Sequence, residues 1–182
     1  MNKWDQYFLT MCNTVATNGK CMSRVLGAII VFDKSIISTG YNGPPRGVPA
    51  CGDRFKYDEM YQSALKKMIS LESLKDIEVM IGKDKLENTC PRRILNFNSG
   101  YGVEYCPAGH AERNALINAA RHGIATRGAT LYLNTNIPCK ECLIEITNAG
   151  IVEVVCTELK YYDSLSEYII SQSNLKIRTY DL

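Results

Sequence analysis

Several things are missing from this chain, and each absence removes a class of protein. No apolar run approaches the ~20 residues that a membrane-spanning helix needs. The opening stretch, Met1-Asn2-Lys3-Trp4-Asp5-Gln6, is polar and lacks the apolar core of a secretory signal. No block of lysine and arginine is long enough to grip a nucleic-acid duplex, and the formal net charge is only +2. Internal repeats, low-complexity segments and linker-like stretches are absent too. These gaps point away from membranes, export and duplex binding, and the expected setting is the cytoplasm.

What is present is ordinary in bulk. Of the 182 residues, 46% are hydrophobic and 22% charged, enough to bury a core of one domain. The expectation is a single domain over 1–182 with an insertion at about 51–106. The unusual count is eight cysteines. Without an export signal they read as reduced thiols and metal ligands, not as disulfides.

Two short stretches carry chemistry: His110-Ala111-Glu112, and Pro138-Cys139-Lys140-Glu141-Cys142. One imidazole and two thiols make three ligands, the usual protein complement of a catalytic zinc, whose fourth position is left to water. The C-x-x-C spacing lets both sulfurs reach one ion from the first turn of a helix. Glu112 falls beside the metal without ligating it, where a general acid/base belongs. Zinc lowers the pKa of its water and the glutamate takes and returns the proton. H-x-E followed by P-C-x-x-C is the signature of zinc nucleobase deaminases. A lone C-x-x-C could be a redox pair or a zinc knuckle, but the two halves together, in this order and with the proline, are specific.

Periodicity supplies the frame. Trp4, Phe8, Met11, Cys12 and Val15 predict a helix over 4–18, closed by Asn18-Gly19. Residues 24–32 and 36–41 read as a hairpin turning at Asp33-Lys34-Ser35. The glycine- and proline-dense stretch 40–47 reads as a shaped loop, a candidate pocket wall. A helix is expected over 58–74, with Met60, Ala64, Leu65, Met68 and Leu71 on its inner face. A short helix is expected within 75–88, then loop from Cys90 to Pro107, including Asn98-Ser99-Gly100-Tyr101-Gly102. Helices follow over 111–121, 139–149 and 164–173, alternating with strands over 129–133, 151–156 and 175–179. His122, ending the first of these helices, suits the helix dipole better than a metal. The order α-β-β-α-β-α-β-α-β implies a three-layer α/β/α fold. Its mixed five-stranded sheet would be antiparallel at the start and parallel later, with helices on both faces.

The blocks Gly40-Tyr41-Asn42-Gly43, His110-Ala111-Glu112-Arg113-Asn114-Ala115, Pro138-Cys139-Lys140-Glu141-Cys142 and Tyr161-Tyr162-Asp163 cover nearly the whole chain. In order and spacing they resemble the cytidine deaminase-like superfamily, and within it the deoxycytidylate (dCMP) deaminases of phage and bacterial type. The resemblance implies hydrolysis of dCMP to dUMP and ammonia by attack of zinc-activated water on C4, supplying dUMP for thymidylate synthesis. It implies zinc on His110, Cys139 and Cys142, proton transfer by Glu112, Asn42 on the sugar and Tyr162 beside the base. Arg24 and Lys140 are candidates for the 5′-phosphate. It further implies a hexamer, activated by dCTP with magnesium and inhibited by dTTP. Tyr41, Gly43, Arg46, Arg113 and Asn114 are candidates for that regulatory site, and Arg121 for a subunit contact. For Arg113 and Arg121 a solvated helix face is an equal reading. Some relatives of this type carry a structural zinc near the positions of Cys21 and Cys51. Extending that site to Cys90 and Cys106 gives four thiolates, a known structural set, against the alternative of four unrelated buried thiols.

Two rival functions stay open at this point. One is a deaminase of another cytosine nucleotide, of tRNA or of single-stranded nucleic acid, for which Tyr101, Tyr105, Tyr161 and Tyr162 could stack on bases while the near-neutral charge argues against a basic groove. The other is a non-catalytic zinc-binding module, which the presence of Glu112 argues against.

Overall fold

The computed structural model describes residues 2–98 and 100–182. Met1 and Ser99, the latter inside the expected loop over 98–102, lie outside the described residues. The chain divides into two compact units. The larger comprises Met1–Gly19, Val25–Asn42 and Gly109–Leu182; the smaller comprises Lys20–Arg24 and Gly43–Ala108.

In the larger unit, α1 (Lys3–Ala16) leads to β1 (Gly27–Phe32) and β2 (Ser35–Tyr41). Asn2 caps α1 by accepting from the Trp4 N–H. Asp33 and Lys34 turn the hairpin, both with positive φ (45° and 61°), as a two-residue turn matched to strand twist requires. The sheet order is β2-β1-β3-β4-β5, with β3 (Thr130–Leu133), β4 (Glu153–Cys156) and β5 (Lys176–Thr179). β1 pairs antiparallel with β2 and β3, while β3–β4 and β4–β5 are parallel. The expected mixed five-stranded sheet is therefore present.

The two-residue period of the strands sorts the core into two layers. Ala28, Ile30, Leu131, Leu133, Val154 and Cys156 face one side, where Ala115, Cys142, Leu143 and Ile146 of two later helices meet them. Ile29, Val31, Tyr132 and Val155 face the other, against Phe8 and Cys12 of α1. Burying these six plus four strand side chains, at ~25 cal/mol per Å² of apolar surface, is the main force holding the layers together. Trp4 departs from the expected inner face of α1: it is 43% exposed and its ring lies under the Lys34 ammonium.

The smaller unit is helical. It holds α2 (Arg54–Tyr57), α3 (Glu59–Ile69), α4 (Leu74–Ile81), α5 (Lys83–Asn88) and α6 (Pro91–Ile94). Its core is Tyr61, Leu65, Ile77, Leu86 and Ile94. Four expectations need correction here. The helix over 58–74 stops at Ile69, because Ser70 turns left-handed (φ 56°). Its inner face is Tyr61 and Leu65, whereas Met60 and Met68 are exposed; two apolar pairs at i, i+4 compete, and the aromatic one is buried. The short helix in 75–88 is two helices, broken at Gly82 (φ 90°). The stretch from Cys90 to Pro107 is not all loop: Pro91 opens α6, as proline suits a first helical position, and Val103–Tyr105 forms a 3-10 turn.

Candidate metal centre

Three helices of the larger unit build the centre: α7 (Ala111–Arg121), α8 (Lys140–Asn148) and α9 (Ser164–Gln172). His110 is the N-cap residue of α7 and Cys139 that of α8, and neither side chain caps its own helix. Both are turned toward each other instead. His110 Nδ1 lies 3.5 Å from Cys139 Sγ and 3.3 Å from Cys142 Sγ. Among the described residues this is the one group of histidine, cysteine and acidic side chains whose ligand atoms all lie within 4.8 Å of one another.

The donor set can be tested against zinc directly. Bond lengths of ~2.3 Å to sulfur and ~2.0 Å to nitrogen put the N···S edge of a tetrahedral site at about 3.5 Å. The two observed edges match it, and the ligand types are those zinc takes. Cys139 and Cys142 sit one helical turn apart, so both sulfurs leave the same face of α8. The thiols are buried, whereas His110 is exposed, so the centre reaches the surface at its histidine.

The two thiols titrate apart. Hydrogen bonding from the Cys142 thiol, and then from the His110 ring, outweighs burial and holds the Cys139 thiol down at about 5. Cys142 moves the other way, through its hydrogen bond to Cys139, burial and the charge of Glu112. His110 is raised, first by its hydrogen bond to Cys139. Glu112 is 5% exposed and close enough for its charge to act on both His110 and Cys142. Arg113 pairs with Glu145 of α8 at 2.9 Å, tying α7 to α8 while its charge faces the two thiols.

The other expected residues separate into groups. Asn42 is buried, and its side-chain oxygen accepts from the Leu26 N–H at 2.9 Å. Asn114 donates to the Tyr41 carbonyl at 2.7 Å, and its amide lies against the backbone of Gly109. Tyr41 and Tyr162 are exposed. Lys140 holds Glu141 at 3.6 Å. Arg121 and His122 are exposed at the end of α7. Arg24, Gly43 and Arg46 belong to the smaller unit. So do Cys21, Cys51, Cys90 and Cys106; burial first, then the charges of Cys106, Cys90 and Cys21, push Cys51 up to about 11 against the pull of Arg54, but their sulfurs do not all lie within 4.8 Å of one another.

Three connections escaped the sequence. The close fit of Gly40 against α7 is one, since a Cβ there would stand 2.2 Å from Ala115 N. The Arg113–Glu145 pair is another. The third is Asp163, whose carboxylate accepts from the Lys140 N–H at 3.1 Å and the Ser166 N–H at 2.8 Å. Only the Asp-x-x capping pattern of Asp163 carried a local signal.

A three-layer fold with a His/Cys/Cys centre at two helix N-termini, and a buried glutamate two residues past the histidine, defines the zinc-dependent nucleobase deaminase class. The chain belongs to the cytidine and deoxycytidylate deaminase family, whose zinc-binding region matches residues 2–158. It is 31% identical over 157 residues to the deoxycytidylate deaminase of Mycobacterium phage D29, covering 84% of this chain and 92% of that protein. It is 30% identical over 177 residues to the deoxycytidylate deaminase of Schizosaccharomyces pombe, covering 97% of this chain but 44% of that one. The chain thus spans less than half the length of the yeast relative. In fold it is similar to the dCMP deaminase of cyanophage S-TIM5, solved in complex with dCMP and dUMP (TM-score 0.61, 20% identity, covering 98% of both chains).

Proposed function

We propose that this chain catalyses the hydrolytic deamination of dCMP to dUMP. The observation that carries the reading is the placement of buried Glu112 beside a three-ligand zinc set; the relatives named for the same substrate support it. Zinc, when held by His110, Cys139 and Cys142, supplies Lewis-acid activation of water. Glu112 would carry a proton from water to the departing amino group. A C–O bond forms at C4, the C–N bond breaks and ammonia leaves. Burial of Glu112 keeps bulk water from competing for the proton. Tyr162 would line the base, Asn42 the sugar, and Arg24 and Lys140 the 5′-phosphate. Asn42 would have to make its sugar contact while its oxygen stays bonded to Leu26.

The remaining family traits belong to the same proposal: a hexamer through the Arg121 face of α7, activation by dCTP with magnesium, inhibition by dTTP, and a cytoplasmic role in supplying dUMP for thymidylate synthesis. Tyr41, Gly43, Arg46, Arg113 and Asn114 would serve the regulatory site. All eight cysteines are free, and among the described residues no helix is long and apolar enough to cross a membrane. The same proposal keeps a second, structural zinc on Cys21, Cys51, Cys90 and Cys106, of which the last two and Cys21 are close enough for their charges to act on Cys51. The Tyr61 hydroxyl, buried without a hydrogen-bond partner and close enough to feel Cys90, would then have a thiolate to donate to.

The test is ammonia release from dCMP, deoxycytidine, dCTP and cytosine in single-stranded DNA, each with and without dCTP and magnesium. Selective turnover of dCMP supports the reading, and its stimulation by dCTP supports the regulatory site. Turnover of another substrate without dCMP overturns the substrate assignment. Metal analysis should give two zinc ions per chain, falling to one in Cys90→Ser; one in the unaltered protein removes the structural site.

A further inference from the structure

Cys139 is flanked on both sides by tethers to one neighbouring helix. The residue before it, Pro138, is buried and offers its carbonyl to the Ser166 hydroxyl at 3.2 Å. The residue after it, Lys140, offers its N–H to Asp163 Oδ2 at 3.1 Å. Ser166 is fully buried. Asp163 caps its own helix α9 through Oδ1, which accepts from the Ser166 N–H at 2.8 Å. One carboxylate therefore satisfies the first turns of two helices.

The reason lies in Cys139. An N-cap residue ordinarily spends its side chain on the orphan N–H groups of its own first turn. Cys139 occupies the cap of α8 with its sulfur facing His110, and the first N–H of the helix, that of Lys140, finds its acceptor on another helix, at Asp163. Burial alone would raise the Asp163 carboxyl; bonds from Ser166 and Lys140 N–H outweigh it and hold the group in its charged form. A further bond, from the Asn136 side chain to the Lys160 carbonyl at 3.2 Å, fastens the loop before Pro138 to the stretch that leads into α9.

We infer that Asp163 and Ser166 are positioning residues of the metal centre, fixing from α9 the direction in which Cys139 and Cys142 present their sulfurs. Neither touches the ligand atoms. They act on the backbone on either side of Cys139, and outer groups of this kind are worth roughly ten- to a hundredfold in metal affinity. The inference rests on the zinc-site reading and is independent of which nucleotide is the substrate.

The experiment is zinc affinity by competition with a chromophoric chelator, on the full chain. Asp163→Ala should bind zinc about tenfold more weakly or worse, and Ser166→Ala several-fold more weakly. Asp163→Asn, keeping one carbonyl oxygen for two N–H groups, should fall between Asp163→Ala and the unaltered chain. With Co2+ in place of zinc, the ligand-field bands should shift in Asp163→Ala. Asn2→Ala removes an N-cap of the same unit, on α1, and should leave affinity and bands unchanged. Wild-type affinity in Asp163→Ala, or an equal loss in Asn2→Ala, overturns the inference. Should Asp163→Ala fail to fold, Ser166→Ala decides alone, with weaker zinc supporting and unchanged zinc overturning. Failure of the unaltered chain to bind zinc overturns both this inference and the reading beneath it.

Discussion

Replacing Gly40 by alanine should disarm the metal centre without touching it. A Cβ on Gly40 would lie 2.2 Å from Ala115 N and 2.3 Å from Ala111 O, both backbone atoms of α7. Ordinary contact begins at 3.4 Å, so the helix must recede by roughly 1 Å, since neither β2 nor a helix backbone can yield as a side chain does. Three bonds hold α7 to β2 and oppose that motion: Ser38 Oγ to the Ala115 carbonyl at 2.7 Å, Asn114 to Tyr41 at 2.7 Å and Asn118 to Thr39 at 2.8 Å. Overpacking of this kind costs about 1–3 kcal/mol, and each strained bond about 1. A loss of about 3 kcal/mol follows, which in a chain of this length lowers Tm by roughly 6–12 °C. The larger effect is geometric. Ala111 carries His110 with it, the N···S edges of 3.3 and 3.5 Å open, and a 1 Å misplacement costs ~100-fold in rate. Gly27→Ala is the matched control, because its Cβ would meet Cys12 O at 2.1 Å on the α1 side, away from α7. The assay is Tm, zinc per chain and kcat/KM for both variants. Gly40→Ala that keeps zinc and activity, or both variants losing zinc alike, would refute the reasoning.

Glu112→Gln should retain zinc and Tm while kcat falls by a factor of about 100 to 10,000, the range for losing a general acid/base; turnover within tenfold of the unaltered enzyme argues against the proton role. Chelating the metal should lower Tm reversibly, because an ion bound by the folded state alone stabilises it, and re-adding zinc should restore it. Asp5 is fully buried and held by Arg178 at 2.6 Å and by the Asp181 N–H at 2.9 Å. Burial would raise its carboxyl, but these bonds outweigh burial and lower it. Its contribution is therefore present above the unfolded value near ~3.9 and lost as pH falls through the lower folded value. Asp5→Asn should cost about 2 kcal/mol at pH 7, less than a fully buried pair because Arg178 is partly solvated. It should also flatten the acid limb of the urea midpoint against pH, and an unchanged limb counts against the pairing.

The frame was legible because it rests on periods. Residues 28–31 and 131–133 alternate between two core faces, and α7 and α8 begin where H-x-E and P-C-x-x-C place them. The ligands were legible because two of the three are neighbours on one turn. What escaped depends on meetings between distant residues. Asp163 lies 23 residues from Lys140 and Arg113 lies 32 from Glu145, and no local pattern announces either. Of the inner face expected for the helix over 58–74, Leu65 and Leu71 pack as expected, whereas Met60 and Met68 were misread because Met60/Ala64 and Tyr61/Leu65 are both apolar pairs. Gly40 falls in both the expected strand 36–41 and the expected loop 40–47; it is the last but one residue of β2, small because a helix presses on it.

Asn114 has a role beyond the centre. Its amide bonds the Tyr41 carbonyl and lies against Gly109, so one side chain marks both the point where the chain leaves the larger unit after Asn42 and the point where it returns. For that unit the excursion over 43–108 begins and ends at a single stitch. The entropy of closing such an excursion grows only logarithmically, about 0.6 kcal/mol for each doubling of its length. For the sheet and its metal centre, the amount of chain carried over 43–108 is thus a weak determinant of what it costs to bring Tyr41 and Gly109 together.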